Sequence, residues 1–156
     1  MSGVTGLFHV GITVSDLERS LAFYQGALGL EVEWEQVIDR DSTRELLGVP
    51  FTRLRCAFVG LPGGGALELL QYEGVTGRDL TWSPSDHGAG HLCLWVTDVD
   101  DAVARARELG GSTIADAPVV VPSGRYEGAR VVYLRDPDGF LLELIQPSPD
   151  AASSAT

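Results

Sequence analysis

The chain carries one segment twice. FHVGITVSD (Phe8 to Asp16) is echoed by GHLCLWVTD (Gly90 to Asp98), which brings His9 onto His91 at an offset of 82 residues (91 − 9). Under that offset Ile12 meets Leu94, Val14 meets Val96 and Asp16 meets Asp98. A second echo closes each half. GALELLQY (Gly65 to Tyr72) resembles FLLELIQP (Phe140 to Pro147), and Glu68 falls on Glu143 at an offset of 75 (143 − 68). A loop-length difference between the halves accounts for the unequal offsets. A duplication of this kind restricts the fold strongly, because each half must be one supersecondary unit built to the same plan.

Local patterning gives both halves the same order of elements. Residues 7–14 alternate as a strand. Ser15 with Glu18 reads as a capping box before DLERSLAFYQGALG, in which Leu17, Leu21, Tyr24 and Leu28 share a helical face and Gly29 ends the helix. Residues 30–37 alternate again. DRDSTRELLGVP is a polar insertion with room for one helical turn, and residues 51–60 and 66–72 form a hairpin around LPGGG. In the second half, strand 91–97 leads to Thr97 as N-cap, a helix over DVDDAVARAREL stopped at Gly110 and Gly111, and a short strand near 112–115. A loop from Pro118 to Gly128 follows, then strand 129–134, the turn RDPDG and strand 140–146. The expected class is therefore α+β, with two tandem βαβββ modules. Module one is 7–72, the linker 73–89 and module two 90–147, together one domain over 1–147. The tail 148–156 is small, polar and terminal, and is expected to be disordered.

Side chains alternate across a strand, so parity assigns faces. Phe8, Val10, Ile12 and Val14 are expected against the helix, which sends His9 to the opposite face. The same count sends His91, Cys93 and Trp95 to that face, with Glu68, Leu70 and Tyr72 from 66–72 and Glu143 from 140–146. Each glutamate stands among leucines, where a charge is costly without a partner. Two imidazoles and two carboxylates on the helix-free faces are competent ligands for one divalent ion: Zn, Ni, Co, Mn or Fe.

HVGITVSDLERSLAFYQGALGLEV, ALELLQY, GHLCLWVTDVDDAVARARELG and VYLRDPDGFLLELIQP are the residues on which the chain resembles the vicinal oxygen chelate superfamily, the glyoxalase/bleomycin resistance/dioxygenase group. The resemblance implies sheets that form a U-shaped metal-binding cleft. It also implies a metal held by the first and last strand of each module, hence by His9, Glu68, His91 and Glu143. Among its members, glyoxalase I and methylmalonyl-CoA epimerase are the most similar, with two protein ligands per module. The epimerase-like members commonly have glutamine where Glu68 stands.

Four protein ligands leave roughly two positions in an octahedral shell, enough for two neighbouring substrate oxygens. A carbonyl held there makes its alpha proton acidic, and a carboxylate, Glu143 or Glu68, can remove and return that proton. The expected function is thus a metal-dependent isomerase, epimerase or lyase working through a metal-chelated enolate on a small oxygen-rich substrate. The alternatives are an Fe(II)-dependent dioxygenase and a non-catalytic, resistance-type binder of a drug or metabolite. Arg53 and Arg55 share a parity that could face the cleft and bind an anionic group. Tyr72, Cys93, Trp95 and Tyr126 complete the expected substrate-binding set.

Composition excludes some partners. With 22 acidic and 11 basic side chains, the formal net charge is -11, which repels nucleic acid and anionic membranes. Cys56 and Cys93 do not make a disulfide framework, and no signal or spanning segment is evident, so the expected location is the cytoplasm. An open-edged sheet is compatible with a homodimer.

Overall fold

The computed structural model describes residues 3–79 and 82–149, so residues 150–156 of the expected tail lie outside the described residues. The first half runs β1 (His9–Thr13), α1 (Leu17–Leu28), β2 (Val32–Ile38), α2 (Asp41–Leu47), β3 (Arg53–Gly60) and β4 (Ala66–Glu73). The second runs β5 (His91–Trp95), α3 (Val99–Glu108), β6 (Ser112–Thr113), β7 (Val119–Val120), β8 (Arg130–Arg135) and β9 (Leu141–Gln146). The fold class is α+β. The expected 118–128 loop contains the two-residue strand β7, which pairs with β8. The chain divides into two compact units. Gly29–Arg78 joins the residues up to Gln25 in unit 1, and Gly26–Leu28 joins the residues from Asp79 onward in unit 2.

Each unit has the same sheet plan. Unit 1 orders its strands β1-β4-β3-β2, and unit 2 orders them β5-β9-β8-β6. The first strand of each module lies parallel to its last, β1 on β4 and β5 on β9. That pairing brings a histidine and a glutamate from opposite ends of a module onto neighbouring strands. The register places Gly11 beside Glu68 and Cys93 beside Glu143.

One face of each sheet is packed as the alternation requires. Ile12, Val14, Leu67 and Leu69 are buried in unit 1, and Val132, Leu134, Leu142 and Leu144 in unit 2. Each fully buried leucine contributes on the order of 1.5–3 kcal/mol. The opposite face is not bare. Leu54, Cys56, Phe58 and Ala66 form a buried cluster with Phe51 in unit 1, and Leu141 and Ile145 are buried in unit 2. Phe8 departs from its expected place in the core. It is 71% exposed and lies against the rings of His9 and Phe58, because β1 begins only at His9 and Phe8 precedes the ladder.

The helices start one residue later than the sequence suggests. Asp16, not Ser15, is the N-cap of α1, its carboxylate accepting from the Arg19 N–H at 3.0 Å. Asp98, not Thr97, caps α3 and accepts from the N–H groups of Asp100 and Asp101, each at 3.0 Å. A carboxylate at the positive end of the helix is favoured over a neutral hydroxyl. The shift also leaves Leu17 and Val99 as the first helical residues, both buried. Glu18, freed from a capping box, pairs with Arg55 at 2.6 Å. The expected stop of α1 is present at Gly29, with φ 67. The polar insertion becomes α2. Arg44 ties it down, donating to the Phe51 and Thr52 carbonyls and pairing with Asp39 and Asp41.

Candidate metal centre

Each unit presents one imidazole–carboxylate pair. In unit 1, His9 Nε2 lies 3.2 Å from Glu68 Oε2, and in unit 2, His91 Nε2 lies 3.1 Å from Glu143 Oε2. The side chains of Glu68 and Glu143 are 15% and 19% exposed, so both carboxylates are largely withdrawn from water and need a positive or donating partner. Among the described residues, no group of three or more His, Cys, Asp and Glu side chains is gathered to hold a metal ion.

The pairs fit a divalent cation in donor type and spacing. Two donors about 2.1 Å from one cation, at adjacent positions of its shell, stand about 3 Å apart. The observed separations match this, and imidazole nitrogen with carboxylate oxygen suits borderline divalent metals. His9 Nδ1 is buried with no hydrogen-bond partner, so the polar contact of that ring is made on the Glu68 side.

The surroundings of the two pairs differ. Opposite Glu68 on β3 stands Phe58, whose ring meets His9 edge-on at 5.5 Å and stacks on Trp34 at 4.0 Å. Opposite Glu143 on β8 stands Tyr133. Its hydroxyl donates to Glu143 Oε2 at 2.9 Å and lies 3.3 Å from His91 Nε2. Burial, reinforced by the Glu143 carboxylate, pushes the Tyr133 hydroxyl up to about 12. Cys93 is likewise pushed up to about 11, by partial desolvation and by the Glu143 carboxylate beside it. A thiol so held is no nucleophile near neutral pH.

The turn before β9 explains how Glu143 is placed. Asp136 is 3% exposed, and its Oδ1 accepts from the N–H groups of Asp138 and Phe140 at 2.9 and 2.8 Å. Gly139 takes φ 91, a conformation open to glycine, and the strand starts two residues on. The DPDG motif therefore fixes where β9 enters the sheet.

The expected substrate-binding residues divide. Tyr72, in register with Leu54, shares the face of Glu68, and Trp95, in register with Ile145, shares that of Glu143. Trp95 is 61% exposed and meets the ring of Tyr126 at 5.8 Å, and it borders a cavity of about 410 Å³ with Thr97, Gln146 and Pro147. Arg53 and Arg55 are on the other face, contrary to expectation. Phe58 opposes Glu68 in the ladder, so Leu54, Cys56 and Phe58 share the glutamate's face, and the arginines alternate away from it. Arg55 pairs with Glu18 on α1, and Arg53 lies 3.6 Å from Glu73. β3 is apolar on both faces, so alternation alone could not orient it.

Several functional neighbours were not read from the sequence. Tyr133 occupies the repeat position of Phe58, at the offset of 75 (133 − 58) already given by the glutamates, and parity with Glu143 would have exposed it. Gln71 and Gln146, also within the second echo, accept from the N–H groups of Leu17 and Val99 at 3.1 and 3.0 Å. Arg130 with Asp100 repeats the tie of Arg55 with Glu18. These bonds dock the start of each helix on its sheet.

Comparison with known proteins agrees with this architecture. The model of the Glyoxalase/Bleomycin resistance protein/Dioxygenase superfamily matches residues 6–144. A 2-epi-5-epi-valiolone epimerase from Actinomyces sp. is 32% identical over 146 residues, 92% of this chain and 80% of the relative. A lactoylglutathione lyase from Salmonella typhimurium is 30% identical over 145 residues, 90% of this chain and 91% of the relative. Among solved structures, a glyoxalase family protein from Bacillus cereus has a TM-score of 0.80 at 19% identity, covering 94% of this chain and 97% of that one. A fosfomycin resistance protein from Listeria monocytogenes, complexed with Mn(II) and sulfate, has a TM-score of 0.60 at 19% identity, covering 97% and 99%. With both modules spanned by the family model, the chain belongs to the glyoxalase/bleomycin resistance/dioxygenase superfamily.

Proposed function

We propose that the chain is a divalent-metal-dependent isomerase, epimerase or lyase that moves a proton beside a carbonyl of a small oxygen-rich molecule. It is a glyoxalase/epimerase-like enzyme, as relatives named an epimerase and a lactoylglutathione lyase support. The observation that carries the reading is the repeated His–Glu pair, at 3.2 Å in one module and 3.1 Å in the other, on equivalent strands. His9, Glu68, His91 and Glu143 are the proposed ligands of one cation per chain. That cation, of the Zn, Ni, Co, Mn or Fe type, would act as a Lewis acid on a substrate carbonyl and acidify the neighbouring C–H.

The chain's own groups do the rest. Both histidines lend ring nitrogens and keep their place. A glutamate carboxylate, Glu143 or Glu68, takes the proton and returns it, to the same carbon or its neighbour. Their low exposure keeps bulk water from competing for that proton. Tyr72, Cys93, Trp95 and Tyr126 are the proposed contacts of the substrate. Arg53 and Arg55 have no part in this reading, since they stand on the opposite face.

The test has two measurements. Elemental analysis of purified wild type should find a divalent metal that Glu143→Ala loses in large part. Equal metal in both, or none in either, overturns the ligand assignment. Incubating the metal-loaded enzyme with lactoylglutathione or 2-epi-5-epi-valiolone in deuterated water should place deuterium at one carbon of the recovered compound. Oxygen consumption with iron bound would instead indicate a dioxygenase. Tight ligand binding that survives chelation would indicate a binder.

A further inference from the structure

The two His–Glu pairs are repeat-related, but the groups that flank them are not alike. The residue facing the carboxylate from the antiparallel neighbour is Phe58 in unit 1 and Tyr133 in unit 2. The residue facing it from the parallel neighbour is Gly11 in unit 1 and Cys93 in unit 2. Beside Glu68 neither neighbour carries a donor, and a Cβ on Gly11 would sit 3.5 Å from Glu68 Oε2. Beside Glu143 both neighbours carry one, and the Tyr133 hydroxyl uses it at 2.9 Å.

We propose that Tyr133 is a positioning residue: its hydroxyl holds Glu143 in the orientation of a metal ligand, and so makes His91–Glu143 the stronger-binding of the two pairs. The inference rests on the metal-dependent reading above. A phenol has one proton. Donated to Glu143 Oε2, it leaves the hydroxyl able only to accept from His91 Nε2, which lies 3.3 Å away. When Nε2 gives its lone pair to a cation it carries no proton, so the contact with His91 lapses and the bond to Glu143 remains. That bond fixes one carboxylate rotamer in advance and lowers the ordering entropy that binding would otherwise cost. Among the described residues Glu68 has the His9 ring as its polar partner and no such brace. Hydrogen bonds to ligating side chains typically alter metal affinity about 10- to 100-fold.

The experiment measures Mn(II) binding to the metal-free full chain, counting free Mn(II) by electron paramagnetic resonance. The proteins are wild type, Tyr133→Phe, Glu68→Gln, Glu143→Gln and the double variant Tyr133→Phe/Glu143→Gln. Tyr133→Phe should raise the dissociation constant about 10- to 100-fold, while circular dichroism shows the metal-free fold intact. Glu143→Gln should weaken binding more than Glu68→Gln. Adding Tyr133→Phe to Glu143→Gln should cost little further affinity, because the tyrosine acts through that carboxylate. If Glu143→Gln binds no Mn(II), the single Tyr133→Phe loss decides. An unchanged constant in Tyr133→Phe, an equal loss in both backgrounds, or a larger loss in Glu68→Gln overturns the proposal while leaving the metal reading intact. A wild type that binds no Mn(II) overturns both.

Discussion

Cys93 shows how one position is set by its neighbours. It stands beside Glu143 in register, and partial desolvation of the thiol together with that carboxylate raises it to about 11, though the residue is exposed. The thiolate is the reactive form, so its fraction at neutral pH is small and grows about tenfold per pH unit below that value. In metal-free protein, iodoacetamide should therefore label Cys93 slowly at neutral pH and faster as pH rises toward 11, with mass spectrometry locating the adduct. Rapid labelling at neutral pH would contradict the assigned surroundings. Arg55 makes the opposite point about side-chain placement. Its guanidinium is paired with Glu18, and this contact raises its pKa further. Arg55→Ala should leave Mn(II) affinity unchanged, because the side chain and Glu68 stand on different faces of the sheet.

At the scale of elements, the helix starts separate two readings of one motif. Ser15–Asp16 and Thr97–Asp98 each offer two adjacent capping residues. The structure uses the aspartates, so Asp16→Ala and Asp98→Ala should each cost about 1 kcal/mol in denaturant unfolding. Ser15→Ala and Thr97→Ala should each cost well below that. A second tie joins α3 to β8, where Arg130 pairs with Asp100 through contacts of 2.5 and 2.8 Å. The Arg130 guanidinium holds the Asp100 carboxyl below its ordinary 3.8. A carboxyl depressed on folding stabilises above its unfolded pKa and loses that contribution as pH falls through the folded value. Arg130→Ala should thus lower the melting temperature slightly at pH 7, and the difference from wild type should vanish toward pH 2.

The order of elements along the chain, the helix faces and the shared face of each His and Glu were legible because they depend on periodicity, which the repeat supplied twice. The exact caps were not, since adjacent Ser–Asp and Thr–Asp satisfy the same rule one residue apart. The face of β3 was not, since Leu54, Cys56, Ala57, Phe58 and Val59 are all buried and show no alternation to read. Tyr133 was overlooked for a related reason. β8 reads simply as apolar until its pairing with β9 aligns Tyr133 with Glu143.

At the scale of the molecule, the question is how many cations two pairs can bind. A bidentate His–Glu pair alone leaves most of a cation's shell to water, whereas four protein ligands leave roughly two positions for a substrate. Titrating metal-free protein with Mn(II) distinguishes these cases by stoichiometry. One cation per chain should be found, and Glu68→Ala and Glu143→Ala should each weaken that single binding event. If each pair acted by itself, wild type would take two cations, and each variant would lose one and keep the other unaltered. Stability supplies an independent readout, since a ligand bound only by the native chain adds about 2.7 kcal/mol at a hundredfold excess over its dissociation constant. The melting temperature should rise with Mn(II) in wild type and fall back on chelation. Both glutamate variants should show a smaller rise at the same Mn(II) concentration, as the proposed four-ligand site requires. A full rise in either variant would mean that its pair is dispensable, and the duplication would then be a matter of fold alone.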